Sequence, residues 1–175
     1  MEKVKQATIS VIALIIGFSV LPSMAYSDGK HSHEMKDKIT KTKEGHQQHI
    51  SIEAQKIKKA LTAYGEAVSR GDVEKMGSFL TGKSFSVVEG KHANWGWQDY
   101  RDNHLIPEFS SEKFKLLEYN ISNIRVREGH MLSYAIFDFE LVYALEGKKK
   151  SKKGMGTAIV ENRKGGWFIR HIHTS

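Results

Sequence analysis

Two imidazoles two residues apart, His171 and His173, stand near the end of the run Trp167-Phe168-Ile169-Arg170-His171-Ile172-His173-Thr174-Ser175. In an extended strand alternate side chains share a face. The spacing therefore predicts Trp167, Ile169, His171 and His173 on one side, with Phe168, Arg170, Ile172 and Thr174 on the other. Beside an indole, such a pair could form the polar floor of an apolar cavity, or could supply two ligands to a metal ion. Two further imidazoles are candidates for the same place. His104 follows Tyr100 by one helical turn, and His92 lies in the loop between Gly90 and Trp97, next to Asn94 and Trp95. Convergence of His104, His171 and His173 would make a divalent-metal site. Without a metal, the same groups would be polar contacts for a small molecule. A buried imidazole can also simply hold a Tyr hydroxyl or a backbone carbonyl.

Proton transfer is the other chemistry these residue types allow, since pocketed carboxylates and histidines acquire shifted pKa values. Asp99, Asp102, Asp138 and Glu140 are the candidate acids. Asp138 and Glu140 alternate with Phe137, Phe139 and Leu141, and the aromatic set has the better claim on the core, so these two are expected in solvent. A carboxylate within hydrogen-bond reach of the histidines would favour an isomerase or dehydratase. A pocket of imidazoles, Trp and Tyr alone would favour binding. No Ser/His/Asp order, phosphate-binding glycine loop or zinc-protease helix is present, and Gly154-Met155-Gly156 lacks the third glycine of a dinucleotide fingerprint, so it reads as a strand entry.

Several elements must position these groups. Ile57, Ala60, Leu61, Tyr64, Ala67 and Val68 recur at helical spacing, and Gly71 and Asp72 stop that helix and cap a short second one carrying Val73, Met76, Phe79 and Leu80. Ser84 to Glu89 reads as a strand. Trp97 to Leu105 reads as a third helix that stops before Pro107, because the residue preceding proline is driven from helical dihedrals. Strands follow at Phe114 to Arg127, Met131 to Leu145 and Gly154 to Arg163, and Lys164-Gly165-Gly166 turns into the closing Trp167 strand. Helices gathered ahead of hairpin-linked strands predict an α+β fold, a strongly bent antiparallel sheet wrapped over about three helices with a cavity between them.

Four stretches carry a family resemblance: Tyr64-Gly65-Glu66-Ala67-Val68-Ser69-Arg70-Gly71-Asp72, Val87-Val88-Glu89-Gly90, Gly96-Trp97-Gln98-Asp99-Tyr100-Arg101-Asp102-Asn103-His104-Leu105 with Pro107-Glu108, and Gly166-Trp167 to Ser175. From about Ile52 to Ser175 the chain resembles the nuclear transport factor 2-like superfamily in its SnoaL-like branch. The resemblance implies a cone-shaped sheet over helices, frequent dimers and no single activity, since relatives include isomerases, dehydratases, cyclases and association modules. Function must come from the site itself.

Location and bulk properties are read from the remainder. Lys3 and Lys5 precede an apolar run from Ala7 to Leu21, then Pro22 and the small residues around Ser23-Met24-Ala25, the pattern of a secretory signal cleaved after Ala25. The run, about 15 residues, is short of the ~20 a membrane span needs. Residues 26–50 are rich in Lys, His, Glu and Ser and are expected to be a disordered lead-in to a domain at 51–175. His31, His33, His46 and His49 within it offer at most weak metal capture. The chain has 175 residues, no cysteine and a formal net charge of +7, which excludes disulfides and thiolate metal sites and is ordinary for an exported protein. The run Lys148-Lys149-Lys150-Ser151-Lys152-Lys153 is read as charge that keeps a hairpin edge soluble.

The combined expectation is a periplasmic small-molecule-binding protein without an assigned reaction. Its pocket is lined by His92, Trp95, Trp97, Tyr100, His104, Trp167, His171 and His173. No nucleic-acid partner, no membrane anchor after cleavage and no cofactor beyond the optional divalent metal are expected. The alternatives are an acid-base enzyme, a His-based metal protein, or a homodimeric assembly module.

Overall fold

A computed structural model describes residues 50–175; the expected export signal and the expected lead-in as far as residue 49, with its histidines, lie outside the described residues. Helix α1 (Ile52–Ser69) begins where Ser51 Oγ accepts a hydrogen bond from the Ala54 amide at 3.0 Å. Ile57, Leu61, Tyr64 and Ala67 form its buried stripe, one residue per turn of the face that meets the sheet. The chain then reverses through Gly71, whose φ of +63° suits glycine, and Asp72 caps α2 (Val73–Ser78) through Oδ1 on the Lys75 amide. Among the described residues no helix is long and apolar enough to cross a membrane.

Six strands follow: β1 (Ser86–Glu89), β2 (His92–Trp95), β3 (Phe114–Arg127), β4 (Leu132–Leu145), β5 (Lys148–Arg163) and β6 (Gly166–Thr174). They form one curved, unclosed sheet in the order β2-β1-β6-β5-β4-β3, with every pair antiparallel except β1 and β6. Helix α1 packs on the inner face, chiefly against β3 and also against β6. This is the expected α+β architecture, with the one parallel pair added.

Three local expectations are corrected. The segment between Gly90 and Trp97 is not a loop: His92–Trp95 pairs with β1, Glu89 opposite His92 and Val87 opposite Asn94. The third helix does not stop before Pro107. It runs through α3 (Trp97–Tyr100), a π-helical turn (Arg101–Leu105) and α4 (Ile106–Phe109), with Ile106 fully helical at φ −62°, ψ −48°. The wider turn, in which the Ile106 amide reaches Arg101 O, shifts the ladder so that proline falls in the first turn of α4, where its missing N–H costs least. Finally, Gly154 and Gly156 lie inside β5 rather than at its entry. A Cβ at Gly156 would stand 2.3 Å from the Phe137 ring and one at Gly154 2.8 Å from the Phe139 ring, so both glycines make room for inner-face aromatics of β4.

The correction with most consequence lies in β6. Val160 pairs with Ile169 and Ile159 with His171, so Arg170 is an extra residue, a β-bulge. A one-residue insertion exchanges the faces of everything beyond it. Trp167 and Ile169 face inward before the bulge; after it Ile172 and Thr174 are buried, and His171 and His173 turn to the outer face.

Candidate functional site

The same parity sends other residues inward. In β1, Val87 is buried against Ile172 across the parallel pair, and Glu89, two residues on, pairs with Thr174 on that inner side. Asn94 and His92 of β2 share the face, opposite Val87 and Glu89. The π-helical turn presents His104 from the other wall, and Glu108 follows it by four residues, one turn along. Tyr64 of α1, Tyr100 of α3 and Tyr119 of β3 supply three further phenols.

His104 is the centre of the arrangement. Its Nε2 stands 3.3 Å from Glu89 Oε2 and 3.3 Å from Glu108 Oε2. Its Nδ1 stands 3.3 Å from Asn94 Oδ1. The amide of Asn94 is oriented by donating from Nδ2 to Asp99 Oδ2 at 3.1 Å, which turns Oδ1 toward the imidazole. Both ring nitrogens thus face acceptors, so the geometry favours a proton on each. Burial acts to lower the His104 pKa, but the Glu108 hydrogen bond and the charges of Glu89, Glu108 and Asp99 outweigh it, and the imidazole is held above its ordinary value.

Glu89 has the opposite problem. Burial pushes its carboxyl above the ordinary range; the charge of His104 pulls it down, Glu108 pushes it up, and the Tyr100 hydroxyl, donating to Oε1 at 3.4 Å, pulls it down in turn. Oε2 is buried and has no hydrogen-bond partner among the described residues, although His104 Nε2 lies 3.3 Å away. The side chains nevertheless keep a path to solvent: 24 % of Glu89, 19 % of Glu108 and 15 % of His104 is exposed. Burial, followed by the nearby Glu89 charge for Tyr100 and Tyr119, drives the phenols of Tyr64, Tyr100 and Tyr119 upward, so all three are proton-bearing donors. Two carboxylates, one imidazole and a set of neutral phenols around an under-coordinated oxygen can exchange a proton with a bound molecule.

The residues expected in the pocket are distributed as follows. Tyr100 and His104 are in the cluster, and His92 shares the inner face beside it. Trp97 packs behind Tyr100, its indole so close to Gly77 that a Cβ there would lie 2.7 Å away. Trp95 is on the outer face and 76 % exposed, beside a surface groove of about 460 Å³ that also touches Asp99 and Asp102. Trp167 is buried, but its Nε1 donates to Glu53 Oε2 at 2.7 Å and so ties the start of α1 to β6. His171 bonds Ser86 Oγ through Nδ1 at 2.9 Å on the outer face, and burial, then the neighbouring His173, lowers its pKa. His104 is therefore separated from His171 and His173 by the sheet, and the three do not share one ion position; among the described residues no group of three or more His, Asp or Glu is arranged to hold a metal.

Glu89 and Glu108 are not among the acids that the sequence singles out. Both left a signal: Phe85, Val87 and Glu89 alternate as one strand face, and His104 and Glu108 have the i, i+4 spacing of a helical pair. Asp138 and Glu140 are on the outer face as expected, and Asp138 accepts from Asn123 Nδ2 at 2.6 Å. Asp99 is a structural acceptor, taking hydrogen bonds from Asn103, the Trp95 amide and Asn94, which hold its pKa down.

The family model of the SnoaL-like domain matches residues 57–175. Comparison with curated proteins gave no match. Among solved structures, a nuclear transport factor 2-like superfamily protein from Salmonella enterica serovar Typhimurium superposes with a TM-score of 0.59 at 17% identity, covering 69% of this chain and 88% of that one. A protein provisionally named a scytalone dehydratase, from Novosphingobium aromaticivorans, gives 0.59 at 12% identity, with 71% and 85% covered. The association domain of C. elegans CaMKII gives 0.55 at 15% identity, with 70% and 95% covered. At these identities the likeness is one of fold.

Proposed function

The chain belongs to the SnoaL-like domain family, and from that premise we propose that it is a proton-transfer enzyme of the isomerase or dehydratase type, acting on a small molecule held against the inner face of the sheet. The observation that carries the reading is the placement of His104 Nε2 at 3.3 Å from both Glu89 and Glu108, with Glu89 Oε2 left as a buried acceptor. A pocket built only for binding has no need of a carboxylate pair sharing one imidazole. A buried carboxylate oxygen without a partner is costly and calls for an occupant. Glu89 takes a proton from the substrate carbon; the neutral phenol of Tyr100 donates a hydrogen bond, and His104 and Glu108 set the charge behind the acid. Returning the proton to another carbon completes an isomerisation, whereas loss of a β-hydroxyl as water completes a dehydration. The neighbour named as a scytalone dehydratase is consistent with such chemistry on this fold. Export is part of the proposal and rests on the amino-terminal signal pattern alone.

The test is solvent-deuterium incorporation into a panel of small ketones and β-hydroxy carbonyl compounds, followed by proton NMR with wild type and Glu89→Gln. Exchange accelerated by wild type and slowed about a hundredfold or more in the variant is expected. Equal exchange by both proteins would sink the reading.

A second reading, self-association, is favoured by the outer sheet face. Leu132, Tyr134 and Ile136 of β4 and Met155 of β5 are exposed together there, and the similarity to an association domain points the same way. Sedimentation of wild type and of an Ile136→Glu/Met155→Glu variant tests it; a wild-type monomer at tens of micromolar would exclude it.

A further inference from the structure

The lysine run is not uniform, because β5 alternates through it. Lys153 pairs with Glu140 in register and joins it in an outer-face ion pair at 3.2 Å. Lys152 pairs with Leu141, whose neighbour across β3 is Tyr119, so Lys152 belongs to the inner face. Its Nζ lies 5.8 Å from the centre of the Phe139 ring, and Phe139 stacks on Tyr119 at 6.2 Å. It has no carboxylate partner among the described residues, yet its charge is felt at Glu89. Strand β6 pairs with β5 through Thr174 opposite Gly156, and Glu89 of β1 lies opposite Thr174, so Glu89 stands two strands from Gly156 on the same face of the sheet.

From the register, the cation over Phe139 and the placement of Glu89 two strands away on the same face, we infer that Lys152 is the anion-binding residue of the inner-face site and that the substrate is a small organic acid. Its carboxylate pairs with Lys152, its body lies on Phe139 and Tyr119, and its reacting carbon reaches Glu89. Edge solubility alone would be served by lysines on the solvent side, as Lys153 is. An ammonium laid over an inner-face ring is instead presented to whatever enters there. The deep end carries two carboxylates against one imidazole, so an anionic substrate must be oriented with its charge outward, toward the lysine. The same charge arrangement disfavours entry in the reverse sense, which fixes the end of the molecule that meets Glu89.

The inference rests on the reading of the inner face as a substrate site, and its test separates the two. Phenylacetate, phenylpropanoate and phenylbutanoate, each beside its primary amide, are titrated into the full chain by calorimetry, with amide-resolved NMR to locate the shifts. Wild type is expected to bind at least one acid tenfold or more tighter than its amide, with shifts around Phe139, Tyr119 and Glu89. Lys152→Met removes that preference, Lys152→Arg keeps it, and Lys153→Met, on the opposite face, leaves it unchanged. Circular dichroism melts confirm that the variants fold. Preference that survives Lys152→Met, equal loss in Lys153→Met, or no saturable binding of any acid would overturn the inference. Glu89→Gln should keep the acid preference while losing deuterium exchange; acid preference without any wild-type exchange would sink the catalytic reading and leave this one standing.

Discussion

Glu89 and His104 meet at 3.3 Å on the inner face of the sheet, and each holds its proton more tightly than it would in water. The two shifts have different origins. Burial disfavours the Glu89 anion, whereas surrounding carboxylates favour the His104 cation over the cost of its own burial. Together they keep a proton beside Glu89 Oε2, an oxygen that accepts no hydrogen bond among the described residues.

Replacing the acid by its isostere should separate stability from chemistry. Glu89→Gln preserves shape and the contact with Tyr100 while removing a buried charge. A carboxyl whose folded pKa is raised contributes stability at low pH and loses it as pH rises through the folded value. The variant should therefore melt no lower than wild type at pH 8, with a flatter decline on the alkaline side. Urea midpoints from pH 5 to 9 measure this. A variant several degrees less stable at pH 8 would mean that the carboxylate serves the fold.

His104 should titrate above the ordinary imidazole value, about 6.5. Because its folded pKa is raised, its contribution to stability is complete below that unfolded value and disappears as pH rises through the folded one. Neutralising either neighbour, through Glu89→Gln or Glu108→Gln, should lower the His104 pKa. Carbon-13 NMR of labelled imidazole reads it directly. Removing the imidazole with His104→Ala leaves two partly buried carboxylates facing each other and should cost about 3 kcal/mol at pH 6.5. The cost should shrink as pH rises through the folded value and wild type loses the cation.

Gly156 tests the packing that floors the site. A methyl at this position would meet the Phe137 ring at 2.3 Å, and Phe137 is fully buried. Gly156→Ala should cost about 2 kcal/mol, in the range of overpacking. Trimming the ring, in the double variant Gly156→Ala/Phe137→Leu, should recover part of that loss relative to the sum of the single changes. Strict additivity in denaturant midpoints would show that ring and glycine do not compete for one space.

Most of the fold was legible because its signals are local. The stripe of Ile57, Leu61, Tyr64 and Ala67 requires only helical period, and Phe137 and Phe139 declare the inner face of β4 by alternation. The site was legible in part. Tyr100 and His104 were found from their shared helical face. Glu89 is not legible, because its burial depends on which side of β1 meets Thr174, a pairing 85 residues away in sequence. Glu108 was hidden by Pro107, since the rule that proline ends a helix places it outside the helix that in fact presents it. The faces of His171 and His173 depended on a bulge, which periodicity cannot register because it breaks the period itself.

That bulge makes the sharpest prediction. Arg170 is exposed enough that its side chain matters little: Arg170→Ala loses an ion pair to Glu161 at 2.7 Å and should shift the melting temperature only slightly. Its backbone makes the bulge. Deleting the residue removes the bulge and leaves Trp167, Ile169, Ile172 and Thr174 on one face by plain alternation, with His171 and His173 on the other, the same faces they hold in the bulged strand. The Trp167 bond to Glu53 and the His171 contact with Ser86 can both persist. The deletion should therefore keep a cooperative melt, as Arg170→Ala does. A deletion variant without a cooperative melt would show that the bulge does more than exchange the faces of the residues beyond it.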